Sequence, residues 1–271
     1  MGVRLARNLQ KSSYTVRHTE VSDVGRNRLK EETGLDCVDE DEALNDADCI
    51  ILAVPDRLIG DIAHAIIDRV KPGAAIIALD AAGPYAGKMP DRKDVTYFIT
   101  HPCHPSIFGK ESDPDAQNDH FGGVSAKQAI VCALMQGPEE HYALCEQVAR
   151  AIYAPVVRAH RCTMENMVVL EPALSETVAA TMCLALREAT DEAVRRGVPR
   201  EAAFDFLLGH LNIELAIMFD ITPGRLSDGA LQAIEEAKPV LFKENWLENV
   251  FDMNAIRDSV MAICEPPNKK P

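Results

Sequence analysis

The chain has 271 residues, with 28 Lys and Arg against 42 Asp and Glu, giving a net charge of −14. That charge leaves no basic stripe for a phosphate backbone or an anionic bilayer, so nucleic acid and membrane are disfavoured as main partners. With 47% hydrophobic and 26% charged residues, and no run of about 18 apolar residues, the composition is that of a globular protein long enough for two domains.

The eight cysteines, Cys37, Cys49, Cys103, Cys132, Cys145, Cys162, Cys183 and Cys264, are scattered without a CxxC pair. They read as reduced thiols of a cytoplasmic protein. The opening MGVRLARNLQ is amphipathic and lacks the apolar stretch of a leader.

Helical spacing at Val3, Leu5, Ala6 and Leu9 predicts a first helix, and YTVRHTEV then alternates like a strand ending at Glu20. VGRNRLKEETG predicts a helix closed by Gly34, and the acidic turn DEDEALNDAD leads into the apolar run Cys49 to Val54. Such a run without alternation suits a strand covered on both faces. DRLIGDIAHAIIDRVKPG predicts an amphipathic helix stopped by Pro72 and Gly73, and AAIIALDAAG repeats the buried-strand pattern. This α-β-α-β rhythm implies a parallel sheet with right-handed crossovers.

VTYFIT predicts another strand, and the polar KESDPDAQNDHFGG a loop or flap. KQAIVCALMQG and APVVRAH read as two further strands around the helix PEEHYALCEQVARAIY. From Arg161 onward long helical patterns dominate, which places a boundary near residue 160: a dinucleotide-type domain over 1–160 and a helical substrate and dimerisation domain over 161–271. Residues 164–196 read as one long helix that Pro172 kinks or restarts and Gly197 stops. PREAAFDFLLGHLNIELAIMF reads as a second apolar helix, followed by shorter ones near 227–242 and 246–264 and a disordered tail, EPPNKKP. Helices apolar nearly all round are buried centrally or against a second subunit, so a homodimer through the C-terminal helices is expected.

A parallel sheet needs a first strand, whereas this sequence opens on a helix. Met1 and Gly2 would complete a G-x-G-x-M-G fingerprint whose strand and first glycines lie upstream. Glu20 stands 18 residues beyond Gly2, where a carboxylate takes the ribose hydroxyls of NAD and repels a 2′-phosphate. The fold class is therefore α/β, a Rossmann-type doubly wound parallel sheet with its first strand apparently missing, followed by an all-helical domain. NAD is favoured, and Arg26 and Arg28 nearby keep NADP open. Ala53, Val54 and Pro55, at the end of the third expected strand position, and Asp80, after the next, are further candidates for cofactor contact. For Asp80 a turn-capping role is the simpler alternative.

THPCHPSIFG carries His101 and His104 at the C-terminal end of a strand, the edge that faces the ligand crevice in open α/β sheets. Pro102 and Pro105 stiffen the loop, so either imidazole can be aimed as the base that oxidation of an alcohol requires. H-x-C-H cannot easily wrap one zinc ion. Glu171 and Glu176 fall where the long helix turns apolar on all sides, and buried carboxylates are paired or functional. Glu171 is the stronger candidate, although a helix-start role remains open for both. His210 and Glu214 form an i, i+4 pair that, with Glu171, could hold a divalent cation or grip substrate hydroxyls; a hydrogen-bonded core pair is the alternative.

On ADCIILAVPD, LDAAGPYAG, THPCHPSIFG, AKQAIVCALMQGPEEHY, LEPALSE, GHLNIE and the helical second half, the chain resembles the 6-phosphogluconate dehydrogenase-like branch of the β-hydroxyacid dehydrogenases. Within it the chain is similar to the D-apionate oxidoisomerase subgroup, which is related to the ketol-acid reductoisomerases. The resemblance implies a cytoplasmic NAD-dependent oxidoreductase acting on a sugar acid, with oxidation coupled to rearrangement and 3-oxo-isoapionate as product. The residues themselves, not the resemblance, make His101 or His104 the expected base, with Glu171 and His210 orienting substrate, and kinship with the reductoisomerases makes a divalent cation admissible. One departure matters: the lysine base of the 6-phosphogluconate enzymes has no counterpart, since no lysine lies between Lys127 and Lys238. The alternatives are a plain NAD(P)-dependent hydroxyacid or prephenate-type dehydrogenase, and a non-catalytic dinucleotide-binding regulator.

Overall fold

The structure, a computed structural model, describes residues 2–265. The chain divides into two compact units, one running to Val168 and resuming at Arg257, the other Val169–Ile256. The first unit runs past residue 160 and takes in most of the last helix, from Arg257 onward. Met167, Val168 and Val260 are buried, and the helix ending at Val168 packs on the sheet.

In the first unit the elements are α1 (Gly2–Leu9), α2 (Asp23–Thr33), α3 (Glu40–Leu44), β1 (Cys49–Leu52), α4 (Asp56–Ile66), β2 (Ala75–Ala78), α5 (Ala82–Tyr85), β3 (Thr96–Pro102), α6 (Pro114–Gln117), β4 (Gln128–Gln136), α7 (Glu140–Ile152), β5 (Val156–Arg161) and α8 (Met164–Val168). Caps set several boundaries. Ser22 caps α2 and Gly34, at φ 76°, closes it; Asp39 caps α3 inside the acidic turn.

The five strands lie in chain order in one sheet. β1, β2 and β3 are parallel, β3 and β4 antiparallel, and β4 and β5 parallel. The wholly parallel sheet is thus corrected at one pair. The chain leaves β3 at Pro102 and crosses 103–127 with only the one-turn α6, so nothing carries it to the opposite edge and the next strand runs back. A second correction concerns residues 14–20, where His18 pairs with Cys37 in an isolated bridge and no strand extends further. A strand exists only by pairing, and local alternation cannot supply the neighbour.

β2 is buried on both faces, which is why it reads as an unbroken apolar run, whereas in β1 Leu52 is buried and Cys49, Ile50 and Ile51 are partly buried. Ala75, Ile77, Leu79, Phe98, Ile130 and Cys132 form one core with Leu5 and Leu9 of α1 and Tyr142, Cys145, Ala149 and Ile152 of α7. Ile76 and Ala78, pointing the other way, are equally buried, and each such isoleucine contributes about 1.5–3 kcal/mol. Asn8, also buried, fastens α1 in place by donating from Nδ2 to the carbonyls of Gly123, Ile152 and Ala154 at 3.0, 3.1 and 3.1 Å.

The second unit is helical: a π-helical segment Val169–Ala180, α9 (Thr181–Arg195), α10 (Arg200–Met218), α11 (Asp228–Leu241) and α12 (Trp246–Phe251). The final helix, α13 (Met253–Cys264), continues the chain into the first unit. Pro172 does not restart the helix: it lies inside a continuous helical run, Met164–Arg195, within the π-helical stretch Val169–Ala180. Proline cannot donate to, and clashes with, the carbonyl four residues back, and wider π turns accommodate it. The single helix expected over 246–264 is interrupted at Asp252, whose side chain accepts from the amides of Asn254 and Ala255 and starts α13 afresh. α10 is apolar on every side, yet of its 19 residues only Ala216 is buried. Among the described residues one helical run, Met164–Arg195, is long and apolar enough to cross a membrane. A helix covered by another chain meets the same criterion. The expected disorder of the tail concerns 266–271, outside the described residues.

Candidate active site

The C-terminal ends of β1, β2 and β3 gather three titratable side chains. Ala78 pairs with Ile99 in register, so Asp80 and His101, each two residues further on, emerge side by side on the same face. A carboxylate oxygen of Asp80 and a ring nitrogen of His101 lie within 4.8 Å of each other. Asp80 is buried at 8% exposure, and its Oδ1 accepts from the amide of Ala82 at 2.6 Å. The capping role and the place beside the histidine therefore coexist.

His101 Nδ1 lies 2.9 Å from the carbonyl of Pro102. A carbonyl can only accept, so Nδ1 is the donor in this contact. Asp56, on the first turn of α4, is the third member. Burial pushes its carboxyl above the ordinary range, the charge of Asp80 adds to the shift, and His101 works against it. A polar cleft lined by Asp56, Arg57, Gly60, Gly83, Lys88 and Cys264 opens beside it.

His104 serves differently. It sits at φ 60°, unusual for a residue with a side chain, and its Nδ1 donates to the carbonyl of Phe121 at 2.8 Å. Its ring stands edge-on to those of His101 and Phe121, at 6.0 and 6.2 Å, and Arg4 of α1 covers the other aromatic partner, 4.6 Å from the Phe121 centroid. The expected flap is thus tied back to the His-Pro loop. Asp119 braces it from within, its Oδ2 accepting from the amides of Val124, Ser125 and Ala126 at 3.0, 2.9 and 3.1 Å. Burial would raise that carboxyl, but these donors outweigh it and hold the group below its usual value.

The cofactor candidates fall as follows. Met1 lies outside the described residues. Gly2 opens α1, and outside its chain neighbours and its own helix no described atom lies within 4 Å of where a Cβ would stand. Ala53, Val54 and Pro55 form the turn from β1 into α4. Glu20 Oε1 accepts from the amide of Ser22 at 2.8 Å, and the Glu20 carbonyl accepts from Arg26 Nε at 2.5 Å.

In the second unit, Glu171 lies in the π-helical segment, half-buried, and Glu176 is exposed in the same segment. His210 is exposed on α10; its ring stacks on Phe206 with centroids 4.0 Å apart, and Nδ1 donates to the Phe206 carbonyl at 2.8 Å. The neighbour that Nδ1 takes is thus four residues before it in the helix, whereas the i, i+4 reading had Glu214 four after. Asp56 went unnoticed in the sequence, and its one signal was a carboxylate directly after the apolar run ending in Val54 and Pro55.

Residues 109–264 match the family model for the C-terminal part of decarboxylating phosphogluconate dehydrogenase. D-apionate oxidoisomerase of Cupriavidus necator is 55% identical over 97% of this chain and 95% of its own length. Among solved structures, a semialdehyde dehydrogenase NAD-binding protein from Cupriavidus necator, in complex with calcium and NAD, superposes with a TM-score of 0.95 at 55% identity, covering 97% of this chain and 95% of that one. An NADH-preferring ketol-acid reductoisomerase from an uncultured archaeon shares the fold, with a TM-score of 0.67 at 16% identity, over 97% of this chain and 79% of the other. The C-terminal match and the near full-length identity agree: the chain belongs to the D-apionate oxidoisomerase family, within the phosphogluconate dehydrogenase-like oxidoreductases.

Proposed function

We propose that the protein is an NAD-dependent oxidoisomerase that oxidises D-apionate and rearranges it to 3-oxo-isoapionate. The observation that carries this reading is 55% identity to D-apionate oxidoisomerase across 97% of the chain, together with a His-Asp pair at the strand ends where substrate chemistry is expected. NAD fits the residues present: Gly2 in the first turn of α1, where a helix N-terminus meets a pyrophosphate, and a carboxylate at Glu20 for the ribose hydroxyls. When bound, it supplies the hydride acceptor. His101 takes the hydroxyl proton on Nε2 as the hydride leaves, and Asp80 stabilises the imidazolium so formed. This accounts for a family member without the lysine base. His104 holds the flap against the loop, so that water is kept from the reacting carbon.

The same pair allows a second reading, favoured by the closeness of the two donors: Asp80 and His101 as two ligands of a divalent cation. Calcium takes six to eight oxygen ligands, so this pair alone would not cage it. Exposed apolar side chains along the second unit, among them Leu184, Phe206, Leu208, Ile213 and Met218, support its role as the face that a second copy covers. The free thiols suit a reducing cytoplasm.

The test is NADH formation from D-apionate by the unmodified protein and by His101→Gln, in chelator-treated buffer. The base role predicts turnover that survives chelation and falls about 10²- to 10³-fold in the variant. Turnover abolished by chelation and restored by calcium or magnesium would favour the cation reading.

A further inference from the structure

We infer that Gly25 is a positioning residue for cofactor choice: the side chain it lacks leaves the space in which the Glu20 carboxylate is held. The inference rests on the reading of Glu20 as the ribose ligand. It begins from how α2 is capped. Ser22 Oγ accepts from the amide of Gly25 at 3.2 Å. In the reciprocal arrangement, the residue at this third helical position returns a Glu or Gln side chain to the amide of the cap. Here that position is glycine, and the Ser22 amide is taken from the other side by Glu20 Oε1 at 2.8 Å.

A Cβ on Gly25 would stand 2.7 Å from Cγ and Cδ of Glu20 and 2.8 Å from its Oε2. Contacts that short are not tolerated, and the end of a flexible side chain yields before a helix does. Gly25 is also absent from the residues with positive φ, so the backbone there has no need of glycine. What glycine provides at this position is room. The Glu20 main chain is pinned separately, by Arg26 Nε on its carbonyl at 2.5 Å, so a side chain at position 25 would expel the carboxylate and leave the Glu20 backbone in place. The local charge would then tilt toward Arg26, and discrimination against a 2′-phosphate would weaken.

The experiment measures kcat and KM for NAD and for NADP, with D-apionate as substrate, in the unmodified protein, Gly25→Ala, Glu20→Ala and the double variant. Loss of a charge-assisted hydrogen bond predicts a KM for NAD raised about tenfold in Gly25→Ala, with kcat within about twofold and the NADP value unchanged or lower. Glu20→Ala should show the same shift, and adding Gly25→Ala to it should change KM by less than about twofold, because both act through one carboxylate. Alanine is the better helix former, so the melting temperature should not fall. Glu20→Asp, which withdraws the carboxylate from Gly25 without altering α2, should also lose NAD preference.

Unchanged NAD kinetics in Gly25→Ala, with raised KM in Glu20→Ala, would overturn the inference and leave the ribose reading standing. A Gly25→Ala effect that persists undiminished without Glu20, or wild-type preference in Glu20→Asp, would overturn it as well. Unchanged kinetics in Glu20→Ala would remove the ribose reading and the inference together.

Discussion

Asp80→Asn isolates what the carboxylate does for His101. The amide keeps an oxygen to accept from Ala82, now at 2.6 Å from Asp80 Oδ1, so the turn after β2 is preserved and only the charge is removed. At the outer separation of 4.8 Å, the attraction between a carboxylate and an imidazolium is about 3.5 kcal/mol at an effective dielectric constant of about 20. His101 is half-exposed, and solvent screening reduces the figure to about 2 kcal/mol. That stabilisation exists only once the hydroxyl proton has moved to the ring, so its loss falls on kcat, by about 30-fold, and KM for NAD should barely move. Steady-state NADH formation from D-apionate at saturating NAD measures it, with a thermal melt to verify the fold. A folded Asp80→Asn within about threefold of the unmodified kcat would refute the electrostatic role and leave Asp80 as a turn cap.

Two further predictions concern stability. Because burial raises the Asp56 carboxyl in the folded state, the unfolded chain releases this proton first as pH climbs past about 4. Stability that is fully present below that point is then lost as pH rises through the raised value. Asp56→Asn should therefore gain on the unmodified protein in urea unfolding between pH 4 and pH 7, and a stability difference independent of pH would contradict this. Asn8→Ala removes the donor shared by three buried carbonyls and should cost about 2–4 kcal/mol. Asn8→Asp should be worse, since it turns a carboxylate toward those oxygens, and a loss below about 1 kcal/mol in Asn8→Ala would show that the carbonyls find other partners.

How far the fold could be read from the residues depended on where each signal resides. The runs at Cys49–Leu52 and Ala75–Ala78 announce themselves because no polar residue interrupts them, and the second is buried throughout. Helix ends at Gly34 and Gly197 follow from capping chemistry held within a few residues. The direction of β4 and the reduction of residues 14–20 to one bridge depend on which strand lies alongside, and no local pattern carries that. The break at Asp252 was present as an N-cap signal and hidden by the apolar spacing on either side. The site divides in the same way. His101 and His104 stood out in a proline-stiffened loop, but Asp80 became a partner of His101 only through the β2–β3 register, and Asp56 only through the meeting of three strand ends. The different settings of the two histidines turn on one φ angle and on which carbonyl each Nδ1 meets, and neither is legible along the chain.

The most direct measurement follows the carbon skeleton. Incubation of the purified protein with carbon-labelled D-apionate and NAD, monitored by NMR alongside NADH absorbance, should give one NADH per molecule consumed and a product whose branch has migrated, as in 3-oxo-isoapionate. Stoichiometric NADH with an unrearranged skeleton would contradict the oxidoisomerase account and mark the protein as a simple dehydrogenase. The absence of both NADH and product, with NAD binding intact, would contradict catalysis altogether.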